Sequence, residues 1–113
     1  TLEMELGMTQ SQADGTGNRG TDQGSQLAGN EPLWTNGNLD QNGAFGSSGF
    51  TALPGGDRFT SGSFVNQSID AYFWSSSESG GNAWFRDLIY YSPKVYRYDF
   101  SKSLGFSVRC VQD

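Results

Sequence analysis

Paired carboxylates are the first residues in this chain that suggest chemistry. Acid–base hydrolysis needs two of them at a fixed separation, one to give a proton and one to attack or to activate water. Asp57, Asp70 and Glu78 are the candidates. Nothing in their spacing fixes a separation, and Asp57 between Gly56 and Arg58 reads as a turn residue. No catalytic residue is assigned, and the chain is not expected to be an enzyme. Cys110 beside Arg109 has the charge environment that can activate a thiol. It also alternates with Phe106 and Val108, which places it as a small core residue. Asp22, Asn38, Asp40 and Asn42 could supply oxygen ligands to calcium, yet Asp40-Gln-Asn-Gly43 has the composition of a turn. Gly15-Thr-Gly17 and Gly55-Gly56 lack the Lys-Ser or Lys-Thr ending of a phosphate loop and read as turns. Histidine is absent, which removes the commonest general base and metal ligand. No metal and no cofactor are expected.

The elements that must position any site follow from the composition. A chain of 113 residues suits a single domain, here 1–113. Thr1 in place of an initiator Met leads us to expect the C-terminal part of a longer protein. Eight Phe, five Tyr and three Trp can build a core with few aliphatic residues, since each buries roughly 150–250 Å². Sixteen glycines exclude a helical bundle. A net charge of −5 argues against a nucleic-acid partner, which would need clustered Lys and Arg. No apolar run approaches the roughly 20 residues that cross a bilayer, so direct membrane insertion is not expected. The single cysteine cannot form an internal disulfide.

Short helices are expected first. Thr1 to Met8 suits the end of a helix with Gly7 near its C-terminus; Thr9 can cap Gln10 to Asp14; a third helix starts near Thr21 or Asp22 and runs through Leu27. Residues 29–49 form a long polar loop pinned by Trp34. Strands follow: segments at Phe50–Pro54 and Ser63–Val65, then Ala71–Trp74, a Ser/Gly turn from Ser75 to Gly81, Ala83–Tyr91, Lys94–Phe100, and a closing strand Gly105–Val111. The fold class is α+β, with short N-terminal helices, a small twisted antiparallel sheet and long irregular loops.

Alternation along these strands sorts the side chains. Trp84, Arg86, Leu88 and Tyr90 share one face, with Val95 and Arg97 on the matching face of the next strand. Large apolar groups mixed with arginines suit a scaffold in which guanidinium groups anchor neighbouring backbone carbonyls. Phe85, Asp87, Ile89 and Tyr91 share the other face, with Lys94, Tyr96 and Tyr98 beside them. Tyrosine with scattered charge is the composition of a contact surface, so this face is expected to be an exposed ligand-binding patch. Trp74, Trp84, Arg86, Arg97, Phe106 and Val108 are expected to hold the scaffold.

Phe50-Thr-Ala-Leu-Pro-Gly-Gly-Asp-Arg58 and Gly105-Phe-Ser-Val-Arg-Cys-Val111 resemble the hallmark blocks of the Fibrobacter succinogenes major paralogous domain. Tyr72-Phe-Trp-Ser-Ser-Ser-Glu78, Asn82-Ala-Trp84 and Val95-Tyr-Arg97 fall in that family's order, and Leu6-Gly-Met8 and Gly20–Ser25 also fit. The resemblance covers essentially the whole chain. It implies a C-type-lectin-like fold, similar to that of formylglycine-generating enzymes. Those enzymes work through two cysteines, and this chain has only Cys110. Sugar-binding C-type lectins hold calcium with a Glu-Pro-Asn triplet; Asn30-Glu-Pro32 has the wrong order, and the companion Trp-Asn-Asp is missing. The blocks are also similar to those of variable proteins diversified by retroelements. That similarity implies rewriting at Asp87, Ile89, Tyr91, Ser92, Lys94, Tyr96, Tyr98, Asp99 and Leu104. With Phe85, these make the expected ligand-binding set. The implied partner is a protein or carbohydrate at a cell surface, and the implied parent is a secreted protein or surface lipoprotein of a bacterium or phage. The alternatives are an enzyme of the formylglycine-generating lineage and a structural domain without a ligand.

Overall fold

Capping chemistry sets the N-terminal half. In the computed structural model, which describes residues 2–112, α1 spans Leu2–Glu5, α2 spans Gln10–Asp14 and α3 spans Gln23–Leu27. Thr1, expected in the first helix, lies outside the described residues. Thr9 caps α2 as expected: its hydroxyl accepts from the Gln12 N–H, and the Gln12 side chain accepts from the Thr9 N–H at 2.9 Å. Gly24 has no substitute, because a Cβ there would sit 2.2 Å from the Lys94 carbonyl oxygen, where α3 packs on a strand connection.

Six strands follow: β1 Gly17–Arg19, β2 Asp57–Arg58, β3 Phe64–Val65, β4 Asp70–Ser79, β5 Asn82–Ile89 and β6 Val95–Ser101. An antiparallel sheet runs in the order β1-β6-β5-β4, and β2 and β3 form a separate antiparallel pair. The protein is thus α+β.

Four expectations need correction. The segment Gly15–Gly17, read as a turn, runs into β1 at Gly17, and the pairing of β1 with the edge of β6 is a tertiary contact that local composition does not reveal. The Ser75–Gly81 turn shrinks to Gly80–Gly81, because β4 continues through its serines with a bulge between Trp74 and Glu78. The closing strand is not a strand. Only Gly105 and Ser107 make bridges, to Arg58 and Phe73, and Val108 and Cys110 are exposed rather than in the core. The β4–β5 ladder breaks after Trp74 and resumes at Glu78 and Ser79. Ser107 bonds Tyr72 and Trp74 and has no partner beyond. Phe50–Pro54 likewise contributes a single bridge, Ala52 to Ala28.

Cross-strand partners carry their side chains to the same face. On one face Ala71, Leu88 and Val95 join Met8, Leu27, Trp34 and Leu39 in the buried core under the helices and the long loop. Trp34 pins that loop, donating its indole N–H to the Gly29 carbonyl at 3.0 Å. Arginines of this face tie the helices down. Arg97 donates to the Asp14 and Gly15 carbonyls at the end of α2, both at 3.0 Å, and lies 3.9 Å above the half-buried Trp84 ring. Arg19 and Arg86 converge on the buried carboxylate of Glu3, Arg19 at 3.0 Å. Burial alone would push Glu3 upward; the charges and hydrogen bonds of Arg86 and Arg19 outweigh it and hold the carboxyl below its ordinary value.

Glu3→Gln should therefore lower the unfolding free energy by about 3–5 kcal/mol, since it leaves Arg19 buried without its counter-charge. The loss should appear as a lower urea midpoint at unchanged slope. Because the folded pKa is depressed, the contribution is complete above the unfolded value of 4.5 and disappears as pH falls through the folded one. A midpoint matching the parent at neutral pH would refute this role.

Candidate functional site

The other face of the sheet is covered differently. Tyr72 and Trp74 of β4, Phe85 and Asp87 of β5, and Tyr96 and Tyr98 of β6 share it. Phe106 lies across this face, its ring centroid 4.8 Å from Tyr72, 4.2 Å from Trp74 and 5.1 Å from Phe85. Backbone bonds hold that residue in place: Gly105 pairs with Arg58 in both directions at 2.9 Å, and Ser107 bonds the backbone of Tyr72 and Trp74. Beside Phe106 opens a cleft of about 410 Å³, with Tyr72, Phe85, Asp87 and Asp57 in its lining and Tyr98, Phe100 and Phe59 among its most exposed walls.

Asp57 reaches this cleft because of Gly56. The glycine holds φ at +68°, and a Cβ there would meet the Val65 carbonyl oxygen at 2.1 Å. Its N–H donates to the Asp70 carbonyl at 2.8 Å, which ties β2 to β4. Three carboxylates then gather from three strands: Asp57, Asp70 and Asp87, all buried. Asp57 Oδ1 accepts from the Asn66 amide at 2.9 Å. Oδ1 of Asp70 and Oδ1 of Asp87 are buried with no amide, guanidinium or ammonium donor, and the two carboxyls hydrogen-bond each other.

Electrostatics here is uncompensated. Burial pushes Asp87 up to about 8, and the negative charges of Asp70 and Asp57 push the same way. Asp70 is raised to about 6, chiefly by burial, with the Tyr72 phenol pulling it down and Asp57 pushing it up. The Tyr72 phenol is itself raised by burial and by the three carboxylates. Among the described residues the salt bridges join Glu3 to Arg19 and Arg86, and Glu78 to Lys102; none reaches these aspartates. No group of three or more His, Cys, Asp or Glu among the described residues is arranged to hold a metal ion.

Of the expected ligand-binding residues, Phe85, Asp87, Tyr96, Tyr98 and Leu104 line the cleft. Tyr96 and Tyr98 do share a face with Phe85 and Asp87, and Trp84 and Leu88 lie opposite. Exposure is the correction: Phe85 and Asp87 are only 5% and 6% exposed, because Phe106 and β2 cover the strand on that side. Ile89 keeps the same face but pairs with Asp70 at the far end, half-buried and outside the cleft. Tyr91, Ser92 and Lys94 sit in the β5–β6 connection, with Tyr91 exposed and edge-on to Tyr90. Asp99 lies on the opposite face and accepts from Asn82 at 3.0 Å.

Sequence reasoning missed Tyr72, Phe59, Phe100 and Asn66 as wall residues, and it grouped Asp57 and Asp70 with Glu78. Glu78 is exposed and paired with Lys102 at 2.7 Å. The available signal was Asp70 and Tyr72 two apart on a strand facing Asp87.

Asp70 and Asp87 make a testable demand on stability. Their folded pKa values are raised, so the folded state holds protons that the unfolded chain releases near 3.9. Their stability contribution is complete below that value and is lost as pH rises through about 6 and about 8. Asp87→Asn should thus raise the unfolding free energy by about 1–3 kcal/mol at pH 8 and by little at pH 4. A uniform gain or loss across pH in urea titrations would contradict the assignment.

A family model described as the Fibrobacter succinogenes major domain matches residues 1–112. No curated protein and no solved structure matches the chain.

Proposed function

The chain belongs to the Fibrobacter succinogenes major domain family, and on that premise we propose that it is a ligand-recognition module on a C-type-lectin-like scaffold. It binds a protein or glycan through the tyrosine-bearing cleft between β2, β5 and β6, at the surface of a bacterium or phage. The observation that carries this reading is the half-exposed state of Tyr98 and Phe100, 47% and 51%, on the rim of a largely aromatic cleft that the buried Asp57 and Asp87 also line. Exposed aromatics around a buried polar group are the composition of a binding hot spot. A catalytic reading lacks an activated nucleophile: the lone Cys110 is exposed and outside the cleft. Retroelement diversification, if it acts here, fits Tyr91, Lys94, Tyr96, Tyr98 and Leu104 better than the buried Asp87, where most substitutions would disturb packing.

Purified neighbouring surface proteins and a glycan array provide candidate ligands. Tyr98→Ser with Leu104→Ser should weaken the best of them by at least about tenfold while moving the melting midpoint by only a few degrees. Val108→Ser, exposed and outside the cleft, should leave binding unchanged. Equal affinity for the cleft variant and the parent would refute the recognition face.

A further inference from the structure

We propose that Asn42 is a site of spontaneous covalent modification, at which the Gly43 nitrogen displaces the side-chain amide and water completes the conversion to aspartate and iso-aspartate. The long loop holds two Asn-Gly pairs, Asn36-Gly37 and Asn42-Gly43. Glycine is the most reactive successor of asparagine, because no Cβ hinders the approach of its backbone nitrogen. Local sequence therefore ranks the two pairs alike. The fold separates them.

The chemistry is an internal acyl transfer. The glycine nitrogen loses its proton to hydroxide and bonds to the asparagine Cγ; the Cγ–Nδ2 bond breaks, and Nδ2 takes a proton from water and leaves as ammonia. A five-membered cyclic imide remains. Water adds to either of its carbonyls and opens the ring. One opening gives aspartate, the other iso-aspartate, in which the main chain runs through the side-chain carbon. Water is the sole co-reactant.

Three features leave Asn42 ready for this. The Gly43 N–H makes no hydrogen bond among the described residues, so nothing holds the proton that must leave. Asn42 Oδ1 accepts from the Ala44 N–H at 2.9 Å, a donor aimed at the oxygen where negative charge develops as the nitrogen adds to Cγ. Gly43 is exposed, with nothing within 4 Å of the position its Cβ would take, so hydroxide can reach it.

Asn36 has the same successor in the opposite setting. The Gly37 N–H donates to Asp40 Oδ1 at 2.6 Å. Its proton is held, and the adjacent carboxylate opposes the negative charge the nitrogen must take on. Packing fixes the backbone as well. A Cβ on Gly37 would sit 2.3 Å from the Tyr90 carbonyl oxygen, and the Thr35 and Leu39 N–H groups donate to the Ser68 and Tyr90 carbonyls. Ring closure at Asn36 has to break these contacts. At Asn42 it adds a negative charge to a chain already at −5, between Leu39 and Phe45, which pack into the core under the helices. No residue of this loop lines the aromatic cleft, so the inference is independent of the recognition reading.

Incubation of the full chain at 37 °C and pH 8, followed by peptide mapping with mass spectrometry, reads both sites in one sample. Asn42 should become heavier by the difference between a hydroxyl and an amino group, at least about tenfold faster than Asn36. In urea that unfolds the chain, the two pairs should react at similar rates. Gly43→Ala, for which the open space leaves room, should slow Asn42 by at least about tenfold with the melting midpoint nearly unchanged. Asp40→Ala should speed Asn36. An Asn36 rate equal to or above that of Asn42 in the folded chain, no conversion at Asn42, a contrast that persists in urea, or indifference of Asn42 to Gly43→Ala would each overturn the proposal.

Discussion

Strand β5 has a hydrogen-bonded neighbour on each side, and its two faces are covered unequally. One face is covered generously, by three helices and a long loop that close over Leu88. The other is covered thinly. A pair of two-residue strands and the stretch Gly105–Ser107 do the work, with Phe106 as the principal apolar cover. Thin cover on one side of a central strand is what leaves a cleft there. Phe85 lies under Phe106 and is buried; Tyr98, its direct partner on β6, is not.

The two faces also differ in how they treat buried charge. Under the helices, Glu3 meets two guanidinium groups, and its carboxyl stays ionised. Across the sheet, Asp57, Asp70 and Asp87 meet no cation among the described residues, and burial favours the protonated forms of Asp70 and Asp87. Ionic pairing of the first kind fixes how α1 and β1 dock on β5. Clustering of the second kind costs stability whenever the groups ionise, and small domains have about 5–15 kcal/mol in all.

Much of this was legible in the residues. Thr9 and Gln12 announce the capping box, Trp34 announces the anchor of the long loop, and strict alternation places Tyr96 and Tyr98 with Phe85 and Asp87. Arg97 binds backbone carbonyls as its setting beside Trp84 suggests. What alternation could not reveal is which face stays open, because cover comes from segments distant in sequence. Phe106 crosses from the C-terminus, and Asp57 arrives through a left-handed Gly56 that looks locally like any turn. The failed closing strand has the same origin. Its apolar-polar pattern is real at Phe106, but only Gly105 and Ser107 find bridge partners, on β2 and β4.

The central claim is that the carboxylates beneath the aromatic cleft lie buried together without a counter-charge. Side-chain carboxyl ¹³C shifts of Asp70 and Asp87, followed by NMR across the acid-to-alkaline range, test it most directly. The account predicts titration near 6 for Asp70 and near 8 for Asp87, with both midpoints falling in an Asp57→Asn variant. Both groups titrating at the ordinary carboxylate value of about 3.9 would contradict it.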